Sequence, residues 1–211
     1  MIGTRRRIAT LATVLLLAAC AGTPQTRFHT LLAPAERKPA AAAPPAAYAI
    51  DVQAVSVPAQ VDVPQIVLRR GDGELALVET RQWAAPLGQE LRLALSEWLA
   101  RELGAQDVSR LGAVTDVPVR RVKLAVSRFD SVLGRSARID AQWQIRDDAR
   151  GLSLSCTSQV QESVGASYDE LVQGHQRALA RLGAEIALAL RAFDGAAPPA
   201  CPRPPAQSPA R

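Results

Sequence analysis

The sequence predicts an α+β fold: a mainly antiparallel sheet carrying two amphipathic helices on one face, in the order β-β-β-α-β-β-β-α. Several short runs alternate apolar with polar residues, the pattern of strands covered on one side only. Two longer stretches repeat their apolar residues at helical spacing instead. These runs fall into two similar halves, each closing on a helix, and stacking helices against sheet buries both apolar surfaces.

The first strand is read in "YAIDVQAVSV" (48–57), where Tyr48, Ile50 and Val52 alternate. "PQIVLRR" and "ELALVET" flank Gly71-Asp72-Gly73, a hairpin signal. The first helix follows Pro86, with Leu87, Leu91, Ala94, Leu95, Trp98 and Leu99 on one stripe and Gly104 as its stop. Three strands come next. "VRRVKLAVSRF" puts Val122, Leu124 and Val126 on one face, and "RIDAQWQIRD" sets Ile139, Ala141, Trp143 and Ile145 against Asp140, Gln142, Gln144 and Arg146. "LSLSCTSQV" follows across the turn 147–151. The closing helix begins at a capping box, Ser167 with Glu170. Its stripe runs through Tyr168, Leu171, Val172, His175, Leu179, Leu182, Ile186, Leu190 and Phe193.

The ends differ from this body. In "TRRRIATLATVLLLAACAGT" (4–23), three arginines precede an apolar run too short for a bilayer, which takes about 20 residues. A basic start, a short apolar middle and small residues before a cut site describe a secretory signal over 1–19. Leu17-Ala18-Ala19-Cys20 resembles the lipobox of bacterial lipoproteins, in which the cysteine becomes acylated and N-terminal. The plainer alternative is an ordinary secretory signal that carries a cysteine. Ala21, where an aspartate would retain a lipoprotein at the inner membrane, favours the outer membrane. Residues 20–47, rich in Ala and Pro, read as a lipidated tether, 48–194 as the domain, and 195–211 as a Pro-rich disordered tail.

Charge excludes one class of function. The chain carries 25 Lys+Arg against 20 Asp+Glu, and three of the arginines leave with the signal. A balance of about +2 then remains, without the clustered basic surface of a nucleic-acid binder. The two remaining cysteines, Cys156 and Cys201, can close a disulfide in an oxidising compartment. Alternatively Cys156 is a small apolar strand residue and Cys201 stands free in the tail.

Catalytic constellations are missing from the pattern. The two histidines are His29, in the N-terminal segment, and His175, on an apolar helical stripe that suits a hydrogen-bonded core residue. Gly71-Asp72-Gly73 is a turn rather than a phosphate cradle, and Asp147-Asp148 sits at a hairpin tip. No enzyme activity, cofactor or metal is expected. Trp98 and Trp143 read as core, while Trp83 is either a staple onto the first helix or an exposed contact.

"VPAQVDVPQIVLR" (57–69) and "ETRQWAAPLGQELRLALSEWLARELG" (79–104) together resemble the PqiC/YmbA-type ABC-transport auxiliary lipoproteins. "RFHTLLAP", "VKLAVSRFD" and the terminal helix fit in the same order, so the likeness spans roughly residues 15–193. The resemblance implies a non-catalytic docking subunit at the periplasmic face of the outer membrane. Its implied partners are an MCE-domain periplasm-spanning protein of a lipid-transport system and further copies of itself. Gln65, Arg69, Arg81, Gln82 and Trp83 are the expected contact residues. The competing reading is a periplasmic carrier of lipid or another hydrophobic ligand, with its cavity between sheet and helices.

Overall fold

The computed structural model describes residues 25–34, 45–109, 116–195 and 197–202. The signal segment, Cys20 and residues 203–211 lie outside them. Seven strands and two α-helices follow in chain order: β1 (Arg27–His29), β2 (Ala49–Val52), β3 (Gln65–Arg69), β4 (Leu75–Trp83), α1 (Leu87–Leu103), β5 (Val119–Val132), β6 (Ser136–Asp147), β7 (Leu152–Ser163) and α2 (Tyr168–Ala192). The α+β class and the element order over 48–194 are as the sequence predicts.

The sheet is divided in two, which the sequence does not predict. One sheet has the order β1-β4-β3 and the other β2-β5-β6-β7. The two halves therefore interleave: β2, from the first half, lies parallel to β5 of the second. β1 is parallel to β4, and the hairpin pairs are antiparallel. Register shifts at Gln65/Ile66 and Val126/Arg128 interrupt the ladders. Such bulges bend a strand and sharpen its twist. The far end of β5 meets the first sheet, where Phe129 touches Trp83 and Asp130 pairs with Arg69.

Local sequence chemistry sets the helices. α1 starts after Pro86 and stops at Gly104, whose φ of 61° is the left-handed conformation that glycine adopts without strain. In the capping box of α2, the Glu170 N–H donates to Ser167 Oγ at 3.2 Å and the Ser167 N–H to Glu170 Oε2 at 3.0 Å. The two helices run parallel. Glu90 of α1 and Gln176 of α2 both grip the chain at Thr30–Leu32, while Arg191 reaches Glu102 at their other ends. Contact is close throughout. A methyl group on Gly183 would lie 2.6 Å from the Trp98 ring, and one on Gly174 would lie 2.2 Å from Val164 and 3.2 Å from Ala137.

The N-terminal boundary needs correction. Residues 27–32, assigned by sequence to the tether 20–47, belong to the domain. Leu31 is 2% exposed in the core. The buried Glu90 carboxylate accepts from Thr30 Oγ1 at 2.7 Å and from the Leu31 N–H at 2.8 Å. Gln176 Nε2 donates to the carbonyls of Thr30 and Leu32 at 3.1 and 3.2 Å. Residues 33–47 therefore connect two parts of the fold rather than a membrane anchor to the fold. Glu90→Ala leaves the Leu31 N–H without its acceptor and is expected to destabilise by about 1–3 kcal/mol. Amide hydrogen exchange at residues 27–32 should rise with it, whereas exchange in β6 should follow only the global loss.

At the tail, Cys156 of β7 and Cys201 are joined by a disulfide, with Cα atoms 5.7 Å apart. The described part of the tail is thereby pinned to the sheet.

Candidate interaction surface

Parallel and antiparallel registers across the first sheet bring one row together. Phe28 of β1 lies opposite Gln82 of β4, and Gln82 opposite Gln65 of β3. Directly paired residues share a face of a sheet. Phe28 is 65% exposed, the two glutamines are partly so, and Gln65 Nε2 donates to Glu79 at 3.4 Å. An uncharged row, apolar at the edge strand and amide-bearing inward, offers hydrogen bonds and area without a committed ion pair.

The other expected contact residues are otherwise engaged. Arg69 donates to Asp130 at 2.9 Å and to the Asp72 carbonyl at 3.4 Å. It opens a chain of alternating charge: Asp130 also meets Arg128 at 3.1 Å, Arg128 meets Asp140 at 3.3 Å, and Arg138 grips both Asp140 oxygens at 2.8 and 3.0 Å. Burial by itself would raise the Asp130 pKa, yet the Arg69 and Arg128 guanidinium groups hold it below the usual carboxylate value. This network welds β3 to β5 and β6. Arg81 lies over the Tyr168 ring, 5.1 Å from its centre.

Trp83 is not a surface residue, and its reading as an exposed contact needs correction. It ends strand β4 rather than standing in a loop, and it is 5% exposed. Its ring meets Phe129 edge-on at 6.0 Å and His175 at 6.5 Å. Phe28 carries the exposed aromatic surface instead; its place beside Gln82 follows from a parallel pairing that spans more than fifty residues of sequence.

The histidines are set in very different ways. His175 is fully buried, stacked on Phe129 at 4.0 Å and bonded through Nε2 to Ser131 Oγ at 2.8 Å. Burial pushes its pKa down to about 3, against a smaller opposing pull from Asp130. A neutral, sealed imidazole cannot exchange protons with a bound substrate at neutral pH. It does impose a pH dependence. The unfolded chain binds a proton below about pH 6.5 and the folded one does not until about pH 3, so stability falls on acidification across that window. The expected loss is about 2 kcal/mol between pH 7 and 5. His175→Gln, which can keep the bond to Ser131, should flatten the fall of Tm over this range. His29, lowered chiefly by burial and opposed by Asp169, supplies what slope remains.

No cluster of three His, Cys, Asp or Glu among the described residues is arranged to hold a metal ion. No helix among them is long and apolar enough to cross a membrane. Two open hollows, of about 350 and 380 Å³, lie beside the start of α1 (Val55, Gly88, Arg92) and on the outer face of the second sheet (Lys123, Gln142, Gln144).

Known proteins share this fold. Residues 29–187 match the model of a family described as the ABC-type transport auxiliary lipoprotein component. A crystal structure of an uncharacterised protein is similar with a TM-score of 0.62 at 20% identity, over 79% of this chain and 99% of that one. A Xanthomonas campestris protein of the family DUF330 is similar with a TM-score of 0.53 at 18% identity, over 77% and 90% of the two chains. At these identities the two structures bear on the fold alone. No curated protein matches the chain.

Proposed function

The chain belongs to the family of ABC-type transport auxiliary lipoprotein components, and from that premise we propose that it is a non-catalytic docking subunit, acylated at Cys20 and held at the periplasmic face of the outer membrane. Its partner on this reading is the MCE-domain, periplasm-spanning protein of an intermembrane lipid-transport system, met by a homo-oligomer. The observation that carries the reading is the extent of the family match, which takes in both helices and strands of both sheets rather than a local motif. Gln65 and Gln82 are the contact residues retained from the sequence, being the two that are not buried, ion-paired or laid over an aromatic ring. The alternative reading as a lipid carrier has less support. Its cavity would lie between helices and sheet, where Gly174 instead brings α2 into van der Waals contact with Ala137 of β6.

The test is retention of the partner by the lipidated, oxidised full chain, immobilised in detergent. The MCE-domain protein should be captured and survive washing. A folded, acylated sample that fails to retain it contradicts the docking role. Stoichiometric phospholipid bound to the acyl-free domain would support the carrier instead.

A further inference from the structure

We propose that the end of the domain at β1 lies against the phospholipid monolayer that holds the anchor, with Phe28 as its lipid contact. This rests on acylation of Cys20. The argument is one of reach. Since Thr30–Leu32 is clamped by Glu90 and Gln176, the connection from Cys20 to the fold ends at Arg27, not at residue 47. Seven residues extend at most about 25 Å. A tether of 28 residues would have allowed up to about 100 Å. The domain is longer than its leash, because α2 alone, at 25 residues, measures about 37 Å.

Orientation follows from the same geometry. The parallel helices give the domain two distinct ends. Glu90 and Gln176 mark the one that receives the leash, while Glu102 and Arg191 mark the other. Phe28 belongs to the first end and is 65% exposed on an edge strand, with Arg27 beside it also exposed. An aromatic ring and a cation together suit the interface of a phospholipid layer. Held within about 25 Å, that contact acts at a high effective concentration and needs little intrinsic affinity. Leu188 is similarly apolar and 57% exposed, but it stands on α2 about 18 Å along the helix from Gln176 towards the other end.

The experiment places a benzophenone amino acid at position 28 or 188 of the full-length lipoprotein in native envelopes. Cys20 acylation is read separately by mass spectrometry, and folding by Tm. Position 28 should crosslink to phospholipid at least about five-fold more than position 188. Inserting twenty Gly/Ser residues between Thr23 and Pro24 should bring position 28 down to the level of 188 with acylation intact. Equal lipid crosslinking at the two positions, no effect of the insertion, or crosslinks from position 28 to protein instead of lipid would overturn the proposal while leaving the anchor standing. A bare Cys20 sulfur would overturn the anchor and the orientation together.

Discussion

Replacing Arg120 by alanine is expected to destabilise the domain by about 3–5 kcal/mol, the largest loss for any single charged residue described. Arg120 is 3% exposed near the start of β5. Its guanidinium bonds Asp147 of β6 at 3.2 Å, the Leu190 carbonyl of α2 at 2.9 Å and the Asp194 carboxylate beyond the helix. It also stacks on Tyr48, 3.7 Å from the ring centre. Burial by itself would lower its pKa, but Asp194 and Asp147 more than offset that. Alanine leaves Asp147, 1% exposed, as a buried carboxylate without its counter-charge, held only by the Arg150 N–H, which donates to it at 3.1 Å. The check is denaturant unfolding of two variants beside the wild type. Arg120→Ala should lose most, whereas the double variant Arg120→Met/Asp147→Leu should recover most of the difference, since an apolar pair needs no compensation. Equal losses would mean that packing on Tyr48, rather than the buried charge, sets the effect.

Cys201→Ser is the second large effect, at about 4 kcal/mol. The disulfide closes a loop with a sequence separation of 45, and loop-closure entropy for that length gives this figure. All of α2 lies inside the loop, so the bond limits how far that helix can leave the sheet in the unfolded ensemble. For a domain of this size the loss corresponds to a fall in Tm of roughly 8–16 °C. Wild type in reductant should match the variant in its absence, and reductant should leave the variant unchanged.

Much of this was legible in the sequence, and what was not has a common cause. Gly104, the Ser167–Glu170 box and the hairpin turns are set by residues close in sequence, and each stands where its local chemistry puts it. The stripe of α2 is buried as its spacing implies. β1 was hidden because three residues show no period, and because its place is fixed by Glu90 and Gln176, about 60 and 146 residues away. Trp83 was ambiguous for the same reason: its burial depends on Phe129 and His175. The split into two sheets arises because β2 pairs with β5 rather than with β3, a choice of partner that leaves no mark on alternation read one strand at a time. Among the expected contact residues, Gln65 and Gln82 share a row with Phe28, while Arg69 was misjudged because Asp130 lies 61 positions along the chain. Separation of the two cysteines by 45 residues likewise fixed nothing about their distance in space.

The anchored docking role is tested most directly at its membrane attachment, by mass spectrometry of the N-terminal peptide from fractionated envelopes. The account predicts a chain that begins at Cys20, acylated on sulfur and amine, and recovered with the outer membrane. A chain with an unmodified thiol, recovered in the soluble periplasmic fraction, would contradict it.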